Sequence, residues 1–419
     1  MRIALTISLF FCIINLYSQE YCIPGRFSST PLFDNTELTI YEDVIYGEDT
    51  NWNGNTQSLY MDLYFPDFNY DILLKRPLLV FLPGGGYIIG EKEYFATEAL
   101  ELAKRGFVCA SIDYRTGWAV NGSAAACNGD STSLIKANYR ACQDIRASLR
   151  YLVNYTDSFG IDTNYIYLIG SSAGSIAGLM SHFMNSYDFD SLYPSANLIN
   201  SLGMLDSATN TYNTTYNISG IISLWGGIPD VNFINELNSI PMLLMHGLLD
   251  QIVPFHEGQL YSCPEYFYLY GPGPIVDYLS EIEECYELNY QINGGHGIYD
   301  SAYRIERMHT FLKQLFCDSC LQDTIIDQNT NTLLANTSIS LFDVYPNPTN
   351  GIINISGLAD NNNLIIEIVN IYGSVVEIRE EIIFSSTAQI NMKNLDNGIY
   401  ILNIYNKNNK IYHSKIIKL

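Results

Sequence analysis

Tyr165-Ile166-Tyr167-Leu168-Ile169-Gly170-Ser171-Ser172-Ala173-Gly174-Ser175-Ile176 passes from an apolar strand pattern into a helical one across a single glycine-flanked turn. The turn, Gly170-Ser171-Ser172-Ala173-Gly174, is a G-x-S-x-G sequence. On its own that pattern is common by chance. Between a strand and a helix it is the turn that lifts a serine clear of the backbone, where a base can reach it. The flanking glycines allow a sharp turn without Cβ clashes. The Ala173 N–H then opens the helix and points at any negative charge developing beside Ser172.

Working outward, short apolar runs recur on both sides of this turn. They are Leu78–Leu82, Phe107–Ile112, Gly220–Leu224 and Pro241–Met245. Strands apolar on both faces and separated by helical stretches indicate a buried parallel sheet, hence an α/β fold. Leu134, Ala137, Ala141, Ile145, Leu149 and Leu152 recur at helical spacing. Thr39–Tyr46 and Ser58–Phe65, split by Asn- and Gly-rich sequence, predict an antiparallel hairpin. Asp49-x-Asn51-x-Asn53-Gly54 imitates a calcium loop, but its twelfth position is Tyr60 rather than a bidentate Glu. A hairpin turn is expected there. Neither H-E-x-x-H nor a P-loop occurs.

Leu82-Pro83-Gly84-Gly85-Gly86-Tyr87 follows the strand Leu78–Leu82. Three glycines let backbone N–H groups approach a ligand, as in an H-G-G-G oxyanion loop with Pro83 in place of the His. The amides of Gly85, Gly86 and Ala173 are therefore the expected oxyanion donors. The acid and base should follow Ser172 in the order carboxylate, then histidine. Asp250 lies just beyond the strand ending in Met245-His246-Gly247, and His296 lies in the loop Gly294-Gly295-His296-Gly297. His296 is the expected base and Asp250 the expected acid, with His246 supporting the acid loop. His256 is the reserve base, and Asp230 and Asp277 are reserve acids. His182, His309 and His413 are set aside by their positions. This chemistry needs no metal or cofactor. Arg115 is expected to pair internally with Asp113 or Asp144. Tyr87, Trp118 and Trp225 are candidates for the pocket wall or for packing.

The 419 residues carry 44 Asp plus Glu against 21 Lys plus Arg, a net charge of -23, with 47% hydrophobic and 13% aromatic residues. So aromatic a chain is not a disordered acidic tail, and its charge repels nucleic acid. Residues 1–18 read as a secretory signal peptide, with Arg2 before the apolar run Ile3–Leu16. No stable membrane insertion is expected. Eight cysteines follow it, an even number that suits disulfides in an exported chain. Sequence proximity makes Cys263/Cys285 and Cys317/Cys320 plausible pairs. Residues 321–340 turn polar and are read as a linker between a domain at 19–320 and a small all-β sandwich at 341–419.

Residues 39–315 resemble an α/β-hydrolase of the esterase/lipase, or carboxylesterase, type. The resemblance runs through Leu59–Tyr64, Gly84–Gly86, Ala110–Arg115, Gly160-Ile161-Asp162, the Ser172 turn and the Asp250 and His296 loops. It implies serine hydrolysis of carboxylic esters through an acyl-enzyme, with acetyl and feruloyl esters of polysaccharide among the substrates of similar enzymes. A prolyl-oligopeptidase-type peptidase shares the triad but normally carries a large propeller, for which this chain has no room. A catalytically idle surface-binding protein of the same fold is the non-enzyme alternative. The tail resembles the C-terminal sorting domain of the type IX secretion system, through Val344–Gly351, Asn397–Leu402 and Lys415–Leu419. That resemblance implies export by the type IX machinery, to a secreted or surface-attached state.

Overall fold

The structure, a computed structural model, describes residues 21–320, 322–327, 343–345, 349–356, 362–370, 375–383, 387–406 and 409–418. The expected signal peptide, much of the expected linker, and Pro346, Asn347 and Pro348 lie outside the described residues. The chain divides into two compact units, Met1–Thr330 and Asn331–Leu419.

The larger unit is built on one sheet. Its strands are β1 (Leu38–Thr50), β2 (Thr56–Pro66), β3 (Arg76–Leu82), β4 (Val108–Ile112), β5 (Ile161–Ser171), β6 (Gly220–Leu224) and β7 (Met242–Gly247). A separate hairpin, β8 (Glu257–Gln259) with β9 (Tyr268–Tyr270), interrupts the series before β10 (Tyr286–Gln291) and β11 (Asp323–Asp327). The order across the main sheet is β1-β2-β4-β3-β5-β6-β7-β10-β11. The expected hairpin is β1 and β2, paired antiparallel. From β4 to β11 all neighbours are parallel.

The helices are α1 (Ala96–Ala103), α2 (Ser131–Asn154), α3 (Thr156–Phe159), α4 (Ala173–Phe183), α5 (Ser186–Leu192), α6 (Leu198–Leu202), α7 (Pro272–Glu281) and α8 (Ser301–Phe316). Every residue of β3 is buried, and its two faces feed two cores. Leu78, Val80 and Leu82 join α2, α4 and α7. Leu79 and Phe81 join α1 and α8. The period-2 alternation of a strand thus becomes a three-layer sandwich. Asp130 and Asp300 cap α2 and α8 by accepting the Ser133 and Tyr303 N–H groups, each worth about 1 kcal/mol.

Two expectations are corrected. Asp323–Asp327, read as linker, instead pairs with β10, Glu287 opposite Asp323 through Gln291 opposite Asp327. Thr324-Ile325-Ile326 is a short β-branched run, and its aspartate surroundings hid it. The disulfides are Cys22–Cys317, Cys127–Cys263 and Cys285–Cys320, rather than Cys263/Cys285 and Cys317/Cys320. Cys285 sits before β10, at the N-terminal ends of the strands, whereas Cys263 belongs to the β8–β9 segment near their C-terminal ends. Although near in sequence, these two sulfurs therefore lie at opposite ends of the strands. Cys109 and Cys142 are free and buried.

The smaller unit holds two antiparallel sheets. One contains β12 (Asp343–Tyr345), β13 (Ile352–Ser356) and β16 (Thr387–Asn391). The other contains β14 (Asn362–Asn370), β15 (Val375–Ile383), β17 (Gly398–Asn406) and β18 (Asn409–Lys418). Ile353 and Ile355 from the first pack with Ile366, Ile368, Leu402 and Ile416 from the second, as in a sandwich.

Candidate active site

Ser172 stands between β5 and α4 with φ 50° and ψ -118°. A non-glycine residue held there costs of order 1–3 kcal/mol, which the surroundings must offset. Its N–H donates to Leu224 O at 2.7 Å. A Cβ on Gly170 would overlap Ser175 Cα, and one on Gly174 would overlap Leu82 O and Pro83 O. Both glycines are therefore required for α4 to start this close to β3.

His296, in the loop after β10, lies with Nε2 2.8 Å from Ser172 Oγ and Nδ1 2.7 Å from Asp250 Oδ2. The carboxylate on Nδ1 assigns the proton to that nitrogen, leaving Nε2 to accept from the serine hydroxyl. Asp250 follows β7 and is 8% exposed. Its Oδ1 accepts the N–H groups of Ile252 and Val253 at 2.8 and 3.1 Å. His246 Nε2 lies 3.2 Å from Asp250 Oδ2 and 2.9 Å from Val253 O. Both neighbours are acceptors, so His246 Nε2 carries its proton. Burial alone would raise the Asp250 carboxyl, but hydrogen bonds from His246 and His296 outweigh it and hold the group well below the usual carboxylate range.

The glycine loop lies against the serine. A Cβ on Gly84 would come 3.3 Å from Ser172 Cβ, and Gly85 and Gly86 have φ of 113° and 61°. Tyr114 Oη donates to Pro83 O at 2.6 Å, and Trp118 Nε1 donates to Gly86 O at 3.0 Å. Tyr87 Oη donates to Ala173 O at 3.0 Å and accepts from Asn138 Nδ2 at 2.7 Å. Ala173 is the first residue of α4, so its N–H has no acceptor within the helix. A cavity of about 230 Å³ opens over Ser172 and His296, walled by Gly85, Gly86, Tyr94, Trp225, Ile252 and Tyr261.

The structure thus gathers Ser172, Asp250, His296, Gly85, Gly86 and Ala173 at the C-terminal ends of β3, β5, β7 and β10. The reserve residues fall elsewhere. Asp230 accepts from Asn232 N, Asp277 lies on α7, and the His256 ring packs on Phe255. His182 meets Asn238 O, His309 meets Glu306, and His413 is in β18. Arg115 pairs with Asp144 at 2.7 Å and with Asp49 at 3.1 Å, whereas Asp113 accepts Lys92 N. Of the three aromatic candidates, Trp225 lines the cavity, its ring 6.0 Å from that of His296. Tyr87 and Trp118 are buried supports of the glycine loop. Tyr94, Ile252 and Tyr261 were not signalled by any motif. They reach the cavity through loop geometry alone. Among the described residues no cluster of His, Cys, Asp and Glu is arranged to hold a metal, and no helix is long and apolar enough to cross a membrane.

Residues 61–262 match the BD-FAE family model, and residues 343–418 match that of the secretion system C-terminal sorting domain. The chain is an esterase-type α/β-hydrolase with a C-terminal sorting domain. Isoprenylcysteine alpha-carbonyl methylesterase of Arabidopsis thaliana is 30% identical over 115 residues, 27% of this chain and 22% of that protein. Gut esterase 1 of Caenorhabditis elegans is 30% identical over 158 residues, 36% of this chain and 26% of that protein. The hydrolase therefore spans about a quarter of the length of these curated relatives. Among solved structures, Thermogutta terrifontis esterase 2 aligns at TM-score 0.44 and 16% identity, over 68% of this chain and 96% of that one. A bifunctional GH43-CE protein of Bacteroides eggerthii aligns at TM-score 0.44 and 15% identity, over 67% of this chain and 35% of that one.

Proposed function

We propose that this hydrolase is a secreted serine carboxylesterase. The observation that carries the proposal is the continuous hydrogen-bond chain from Ser172 Oγ through His296 to Asp250, with the serine raised on a tight turn at positive φ. Ser172 Oγ attacks the ester carbonyl while His296 Nε2 takes its proton. Asp250 holds the imidazole in the productive tautomer and stabilises its charged form. The N–H groups of Ala173 and of Gly85 or Gly86 receive the oxyanion, a contribution of roughly 2.7–4 kcal/mol for each donor. His296 returns the proton to the leaving alcohol. Water then repeats the sequence on the acyl-enzyme, releasing the acid and free Ser172.

The cavity of about 230 Å³ is smaller than the roughly 300–1,000 Å³ of sites that enclose a whole drug-sized ligand. It favours a short or flat acyl group with the alcohol lying outside, which suits acetyl or feruloyl esters carried on polysaccharide. The sorting domain supports export through the type IX machinery, with residues 1–18 as the signal that starts it. The test is hydrolysis of short p-nitrophenyl esters. Wild type should turn them over, and Ser172→Ala should lose on the order of 10⁴-fold or more in kcat. A folded wild type without activity, or a Ser172→Ala variant that keeps it, would reject the reading.

A further inference from the structure

Gly86 has no side chain to fix its backbone, yet its amide is one of the groups asked to meet the oxyanion. It is gripped from two sides. Trp118 Nε1 donates to its carbonyl at 3.0 Å. The Tyr261 hydroxyl packs so closely on the other side that a Cβ on Gly86 would overlap it. The two gripping residues come from different loops, 117–130 and 257–270. Tyr261 and Ser262 are both held at φ 58°, an unfavourable conformation for each. Tyr261 N donates to Ile252 O at 2.7 Å, and Ser262 Oγ donates to Gln251 O at 3.2 Å. Ile252 N in turn donates to Asp250 Oδ1. The loops are joined at their far side. Tyr266 Oη donates to Ala124 O at 3.2 Å and accepts from Gly129 N at 3.1 Å, and its ring meets Trp118 edge-on at 5.6 Å. The Cys127–Cys263 disulfide closes the ring covalently.

We propose that the Cys127–Cys263 bridge is a brace for catalysis: through Trp118 and Tyr261 it holds the Gly86 peptide in place, so that the hydrolase is fully active only with this bridge oxidised. Trp118 and Tyr261 are positioning residues in this scheme. The inference rests on the esterase reading and on Gly86 as part of the oxyanion site. Cys127 is exposed and Cys263 is buried. A small dithiol reductant can therefore attack Cys127 sulfur, release the Cys263 thiolate to be protonated, and close to its own cyclic disulfide, leaving two protein thiols. The other two bridges serve as internal controls, because none of their cysteines belongs to the two loops, 117–130 and 257–270, that meet Gly86.

The test uses the full chain with p-nitrophenyl acetate, at a temperature where near-ultraviolet circular dichroism shows each variant folded. Displacing an oxyanion donor by a fraction of an ångström should cost on the order of 10- to 100-fold. The pair Cys127→Ser with Cys263→Ser should therefore lose about that much in kcat, with KM within about threefold. Trp118→Phe, with the bridge intact, should show the same split and keeps the proposal open to refutation if the serine pair does not fold. Cys22→Ser with Cys317→Ser should stay within about twofold of wild type. The brace is overturned if the Cys127/Cys263 pair or Trp118→Phe keeps wild-type kcat, or if the Cys22/Cys317 control loses as much. A folded wild type that does not hydrolyse the ester defeats the esterase reading itself, and the brace with it.

Discussion

Ser172 is held by its surroundings in a conformation its own side chain disfavours, with φ 50° and a backbone bond to Leu224 O. The gain is reach: Oγ stands 2.8 Å from His296 Nε2. Asp250 controls which nitrogen of that ring faces the serine. As a carboxylate it can only accept, so Nδ1 must carry the proton. In Asp250→Asn the new amide can donate to Nδ1 instead, turning the proton-bearing nitrogen toward Ser172 and leaving no base. We expect kcat on p-nitrophenyl acetate to fall on the order of 10⁴-fold with KM little changed. The two backbone bonds to Oδ1 can be kept by the asparagine oxygen, but the new amide faces the His246 Nε2–H and the stabilised charge is lost, so the thermal midpoint should fall while the variant stays folded. A kcat within about tenfold of wild type would mean that Asp250 does not set the tautomer.

At the scale of elements, the site depends on what β4 and the segment after the glycine loop do beside it. Asp113, just beyond β4, accepts the Lys92 N–H at 2.8 Å and so fastens the short helical turn Lys92–Phe95 that carries Tyr94 to the cavity. Burial, only partly offset by that N–H and reinforced by Glu93, pushes the Asp113 carboxyl up to about 6 from its usual 3.8. The folded state then holds a proton that the unfolded state has released between those two values. Stability should fall as pH rises from about 4 to about 6 on this account, and stay lower above it. Asp113→Asn lacks the charge and can still accept from Lys92. It should melt higher than wild type above pH 6, by about 1–2 kcal/mol in stability, with the gap closing near pH 4. A gap independent of pH would contradict this. Such couplings also show why the sequence was readable in some places and not in others. The Ser172 turn, the Asp250 loop and the His296 loop are local patterns, each ending a strand, and chain order together with the few histidines singled them out as candidates. Tyr261 and Trp118 meet Gly86 only because two loops fold over one glycine, and no short motif encodes that. The cysteine pairs depend on which distant segments meet at the same end of the strands. β11 was lost among aspartates because three β-branched residues carry little signal until β10 is there to pair with them.

Over the whole molecule the charge is unevenly divided. Residues 341–419 carry 7 acidic and 6 basic residues, net -1, which leaves 37 acidic against 15 basic, net -22, on residues 1–340. A surface of that sign repels polyanions and tolerates a neutral polymer, in keeping with the neutral esters proposed as substrates. Ser172, Asp250, His296, Gly85, Gly86 and Ala173 all belong to the larger unit, and the smaller one has its own core around Ile353, Ile366, Leu402 and Ile416. Export and catalysis should therefore be separable. A chain ending before residue 341 retains β11, all three disulfides and both cores of the larger unit. In the native host it should accumulate in the periplasm and be missing from the cell surface and medium. Its kcat and KM on p-nitrophenyl acetate, measured after purification, should match the full chain within about twofold. Normal secretion of the truncated chain would remove the sorting role of the tail. Correct retention with a large loss of kcat would instead make the smaller unit part of the catalytic apparatus, against the separation of the two cores.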